Sequence, residues 1–274
     1  MEALPVIDTI DIGTNRFPLR SSGHLVTFDP FDPPLKRPGY ERLGFAITAA
    51  ADGGTSTFYI NNDFDPCSSL LPVNPAFRLP KDGGDRDAYS ADCLPERGCE
   101  LWNRTTWCAV DKHNVIRRVP KADCQVCSAN DGWGHFHRMC RRPRKGWRNI
   151  TVPTVRLSTF LNERSVSTVN FLKIDAQGAD RAIVRDVLMR TKVSIHHLRA
   201  ECQFLDRTLP LYVDDGSGAY PPNDCLAIVK LVRRLRPNLD QESWELSNCH
   251  VAEYNVDLWD SSTRGKGHAS QRRL

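Results

Sequence analysis

The sequence predicts an α/β protein with a mostly parallel central sheet, helices on both faces and a cysteine-rich insertion. Three observations predict it. Apolar runs of strand length alternate with helix-like stretches. Several of these runs end on an acid or a turn, as in Val6-Ile-Asp-Thr-Ile-Asp-Ile-Gly13, His24-Leu-Val-Thr-Phe-Asp29 and Phe171-Leu-Lys-Ile-Asp175. Periodicity then lapses over residues 81–148, where six of the ten cysteines fall.

Composition permits such a domain. Hydrophobic residues make up 40% and charged residues 26% of the 274, enough for a buried core. The net charge of +4 is too mild to imply nucleic acid. No run of about 18 apolar residues is present, so no transmembrane helix is expected. The compartment stays open. The cysteine cluster and the sequons at Asn103 and Asn149 point to the secretory pathway or the cell exterior. The lack of a signal-peptide pattern at Met1 points to the cytoplasm, or to a truncated start. The oligomeric state is not legible.

In chain order, residues 6–13 read as the first strand, with a turn at Asp11-Ile-Gly-Thr-Asn15. The second strand is 24–29. Pro30, Pro33, Pro34 and Pro38 stiffen the loop that follows. Leu43–Thr48 reads as a third strand, joined through the hairpin signal Asp52-Gly-Gly54 to a partner at 55–60. Residues 81–148 form the insertion, stapled by covalent links and holding small structure of its own. An extended piece at 152–157 leads into a short helix at 157–162. A strand at 169–175 feeds a helix at 179–189. A further strand at 197–204 and a loop at 206–222 follow. Asp224 is the predicted N-cap of an amphipathic helix ending at Leu235. Segments 244–246 and 251–258 predict a closing hairpin. The organisation is two half-domains, 1–80 and 149–260, around the insertion, with a polar tail at 261–274.

Two groups of residues carry the chemistry. A tight turn at Gly13 and an acid at Asp29 suit a nucleotide-like ligand, the acid accepting from a ribose diol. A single glycine, without G-x-G-x-x-G, fits S-adenosylmethionine better than a dinucleotide, because no pyrophosphate has to be cradled. Asp175 and Glu201 end or nearly end consecutive strands and would face one crevice, as substrate ligands or as a general base. Glu201 has a plainer alternative as the partner of Arg199 or His197.

Asp11-Ile-Gly-Thr-Asn15, Val26-Thr-Phe-Asp-Pro30, Cys67-Ser-Ser-Leu70, Val155-Arg-Leu-Ser-Thr-Phe-Leu161, Phe171-Leu-Lys-Ile-Asp-Ala-Gln-Gly-Ala179 and Arg199-Ala-Glu-Cys-Gln-Phe204 together resemble FkbM-type methyltransferases. Their most specific motif reads Leu-Lys-Ile-Asp-Val-Glu-Gly-Ala. The resemblance covers 6–80 and 152–258. It implies a Rossmann-like class I methyltransferase fold, S-adenosylmethionine as donor, and O-methylation of a sugar, glycan or related small-molecule hydroxyl. It places Asp11, Gly13 and Asn15 along the methionine part of the cofactor, Asp29 on the ribose, Ser69 near the adenine or the cofactor's edge, and Asp175 near the reacting methyl. Asp175 is the first candidate for a base and Glu201 the second.

Two departures, at Phe17 and at Asp29, which is shorter than the family's glutamate, and the insertion keep other readings open. Phe17 stands where the family has a second glycine, which would suit a binding module with a decayed cofactor site. Cys124, Cys127, His137 and Cys140 have spacing for zinc, but the neighbouring cysteines equally allow disulfides, so no metal ligand is assigned. The run Arg138–Arg148, with Trp147, would suit a polyanion.

Overall fold

The computed structural model describes residues 5–13, 19, 21–50, 52–61, 68–74, 107–110, 115–118, 147–203, 205, 210–214, 216–248 and 253–260. Their strands are β1 (Val6–Ile12), β2 (Leu25–Phe28), β3 (Leu35–Arg37), β4 (Tyr40–Leu43), β5 (Ala46–Ile47), β6 (Gly54–Asn61), β7 (Trp107–Val110), β8 (Val115–Arg118), β9 (Trp147–Val155), β10 (Thr168–Ile174), β11 (Ser194–Gln203), β12 (Leu239–Asn248) and β13 (Glu253–Asp260). The helices are α1 (Leu157–Glu163), α2 (Asp180–Arg190) and α3 (Cys225–Leu235).

Ten strands form one sheet in the order β3-β4-β2-β1-β10-β11-β13-β12-β8-β7. Its centre, β4-β2-β1-β10-β11, is parallel throughout. Numbered along the chain, these five strands run 3-2-1-4-5, the order of a doubly wound sheet whose switch point lies between the first and fourth. Here that point separates β1 from β10.

Side-chain alternation gives the sheet two unlike faces. One carries Ile10, Ile12, Phe28, Leu172, Ile174 and Leu198, all nearly or fully buried. The three helices cover this face. Phe160 of α1 meets Phe28 edge-on at 5.0 Å between ring centroids. Ile183 and Val187 of α2 and Ile228 and Val232 of α3 join the same core. Asp224 caps α3 as expected, its side chain accepting from the Ala227 N–H at 2.8 Å. A disulfide between Cys202 and Cys225 fixes the first turn of α3 to β11.

Three expectations need correction. The sheet is mixed, because β3, β7, β8, β12 and β13 pair antiparallel, and the described helices share one face. The connection from β2 to β4 shows why. Its prolines cannot supply helix-interior N–H groups, and the chain crosses over through β3 instead of a helix. The third parallel strand is β4, not Leu43–Thr48. Ala46 and Ile47 belong to a second sheet, ordered β5-β9-β6. The proposed hairpin is therefore split: β5 pairs parallel with β9, and β6 pairs antiparallel with β9 from Gly54↔Thr154 to Asn61↔Trp147. The sequence shows these two strands and, as the extended piece at 152–157, part of β9, but not that β9 pairs between them.

The strands at 168–174, 194–203, 239–248 and 253–260 and all three helices match their predicted places within a few residues, except that the closing hairpin is longer than expected. Strands β7 and β8 fall within the 81–148 segment and extend the main sheet through β12. The cysteine side chains of that segment, with His137, lie outside the described residues, as do Asn15, Phe17 and the tail.

Candidate active site

The register of the parallel strands builds the site. Ile12 is paired with Phe28 on one side and Ile174 on the other, and Ile174 is paired with Ala200. The next residue on each strand is Gly13, Asp29, Asp175 and Glu201. These four form a row at the carboxyl edge, spanning the switch point. The backbone closes the row: Gly13 N–H donates to Phe28 O at 3.3 Å, and Asp175 N–H to Ile12 O at 3.2 Å. All four were predicted site residues.

Gly13 has a definite reason to be glycine. Its φ is +76°, and a Cβ there would lie 1.8 Å from the Asp175 carbonyl oxygen. Only a residue without a side chain lets the ends of β1 and β10 approach this closely. Asp29 is buried and closes the turn after β2, its Oδ1 accepting from Phe31 N–H at 2.9 Å.

Asp11 sits one step inside the row and is fully buried. Oδ1 accepts from Lys173 Nζ at 3.0 Å and Oδ2 from Leu19 N–H at 2.9 Å. Burial raises its pKa, and Lys173 works in the opposite direction. Lys173 also reaches Asp175 Oδ2 at 3.3 Å. Burial opposes the charge on Lys173, but Asp175 and Asp11 more than offset it and hold the ammonium protonated well above its ordinary range. Lys173 thus ties Asp11 of β1 to Asp175 at the end of β10. Sequence reading missed this role. The available signal was a lone lysine in an apolar strand, two residues before Asp175 and so on its face.

Asp175 and Glu201 are joined by Gln177. Its Nε2 donates to Asp175 Oδ1 at 2.9 Å and to Glu201 Oε2 at 2.8 Å, while Oε1 accepts from the Tyr212 hydroxyl at 2.9 Å. Ser69 Oγ donates to the Gln177 backbone carbonyl at 2.8 Å, so Ser69 braces this turn. His197 and Arg199, the partners of the plainer reading of Glu201, both bind Asp257 of β13, at 2.6 Å and 2.9 Å. Despite its burial, Asp257 is held below the ordinary carboxylate range by His197 and Arg199.

Behind the row, Asp180 organises the turn into α2. It accepts from the Ala176 and Gly178 N–H groups and from Asn223 Nδ2, each at 3.1 Å. Burial and the neighbouring Asp175 push its pKa up to about 7. A small cavity beside Glu201 is lined by Gly178, Gln203, Pro210, Tyr212 and Asn223. Gln203 Oε1 accepts from Leu211 N–H, and its buried Nε2 has no hydrogen-bond partner among the described residues. No cluster of metal-ligating side chains occurs among the described residues.

A comparison with known families bears on the whole of this edge. The family model of the methyltransferase FkbM domain matches residues 11–209. The chain belongs to this family. The match runs from the end of β1 past β11 and includes all four residues of the row. Searches among curated proteins and among solved structures give no match. Membership makes the fold Rossmann-like and the protein a methyltransferase in general terms. No helix among the described residues is long and apolar enough to cross a membrane.

Proposed function

We propose that this protein is an S-adenosylmethionine-dependent O-methyltransferase acting on a hydroxyl of a sugar, glycan or related small molecule. The observation that carries the reading is the row Gly13, Asp29, Asp175 and Glu201 across the switch point. The residues present fit the cofactor. The side-chain-free Gly13 leaves backbone at the crevice floor, and Asp29 on the adjacent strand supplies a carboxylate of the kind a ribose diol requires. S-adenosylmethionine supplies an electrophilic methyl on a sulfonium when bound. Asp11, anchored by Lys173 and the Leu19 N–H, shapes the β1 end of the crevice, and Ser69 braces its rim.

The rate of an in-line displacement comes mostly from alignment, which rigid strand ends provide. An acceptor hydroxyl beside the Asp175–Glu201 pair would give up its proton to a carboxylate there. Asp175 is the first candidate, since its side chain is 31% exposed while Glu201 is 8% exposed overall.

Isothermal calorimetry tests the reading. The protein should bind S-adenosylmethionine with Kd well below about 1 mM, and Asp29→Ala should weaken binding about tenfold or more, a loss of about 1.4 kcal/mol. A folded protein that shows no heat of binding up to millimolar cofactor would sink the proposal.

A further inference from the structure

The Gln177 side chain engages three partners in the site. Both protons of its Nε2 are spent, one on each carboxylate, and its Oε1 takes the Tyr212 proton. Carboxylates only accept, so the partners also fix which way the amide points. The residue sits at φ +50°, a backbone conformation uncommon outside glycine, and Ser69 holds its carbonyl from a third segment. The methyltransferase motif set out above has glutamate at this place, so the amide is this chain's own departure from it.

The surrounding charges make the amide matter. Asp175 just after β10, Glu201 on β11, Asp11 on β1 and Asp180 on α2 bring four carboxyl groups together, and Lys173 contacts two of them, Asp11 and Asp175. Tyr212 adds a neutral hydroxyl. A fifth carboxyl at 177 would replace two donors with a repelling charge and favour proton uptake by the cluster.

We propose that Gln177 is the positioning residue of this site: its neutral amide holds the Asp175 and Glu201 carboxylates side by side, facing the crevice. The inference rests on the methyl-transfer reading for its functional meaning, but its test does not. Urea unfolding between pH 5 and pH 8 would compare the native protein with Q177E, Q177L and the exchange variant Q177E/E201Q. Relative to the native protein, Q177E should lose stability progressively as pH rises, by up to about tenfold in the folding constant per pH unit. Q177L should show a shallower trend. The exchange variant restores one amide and two carboxylates, and should return to within about threefold of the native pH dependence.

Equal losses for Q177E and Q177L at every pH would reduce Gln177 to a packing residue and overturn the proposal. If Q177E does not fold, the exchange variant decides: recovery of folding supports the strut, and no recovery refutes it. Calorimetry with S-adenosylmethionine on the same samples separates the two ideas. Failure of the native protein to bind it strikes the methyl-transfer reading, whereas pH-independent losses with intact binding strike only the role of Gln177.

Discussion

The two faces of the main sheet are built on opposite principles. On one, Ile10, Ile12, Leu172, Ile174 and Leu198 pack under three helices, and shape is all that is required. On the other, the same strands present Asp11, Lys173, His197 and Arg199, with Asp257 across on β13, and every charge has a named partner. Phe171, His197 and Trp259 stack on this face, with ring centroids 4.3 Å and 3.4 Å apart. An apolar face is stabilised in proportion to the area it removes from water. A buried polar face is favourable only when complete, because a single missing partner leaves a desolvated charge. The site forms where the polar face reaches the carboxyl edge.

The largest expected effect breaks the polar face. Lys173→Ala leaves Asp11 buried without its cation and should cost about 3–5 kcal/mol in urea unfolding. Next comes the staple on the apolar side. Replacing Cys202 and Cys225 with alanine frees a loop of 23 residues and should cost about 3 kcal/mol, and reduction of the native protein should give a similar loss.

Volume-conserving substitutions sharpen the contrast. Leu198→Met should cost less than about 1.5 kcal/mol. Asp257→Asn is just as conservative in volume but removes the charge between His197 and Arg199, and should cost clearly more in the same assay.

The smallest effect is read through pH. The folded pKa of Asp257 is depressed, so its stabilisation is present above about pH 4 and lost as pH falls through the folded value. Asp180 is opposite in sign. Its raised pKa means a contribution present below about pH 4 and lost as pH climbs through about 7. Unfolding curves should therefore show Asp257→Asn flattening the acid limb and Asp180→Asn flattening the decline toward pH 8. Identical pH profiles for both variants and the native protein would show that the buried charges do not differ from their unfolded state.

Much of this was legible in the chain because it is local. A run such as Phe171-Leu-Lys-Ile-Asp175 fixes a strand, its alternation and an acid at its end without reference to any other segment. Asp224 caps its helix by a contact three residues away. Gly13 and Asp29 needed only their own turns to be noticed. Tertiary structure decided what lies opposite. The insertion of β9 between β5 and β6, the claim of Asp257 on His197 and Arg199, the Cys202–Cys225 link and the amide of Gln177 between two strands all join residues far apart or on different elements. Periodicity assigns a side chain to a face but not to a partner, because register between strands depends on closing long loops and satisfying every buried polar group at once. The sequence by itself therefore placed a glycine or an acid at the end of each strand, and the fold decided that these ends form one row and which acids are tied down, by Lys173 and Gln177.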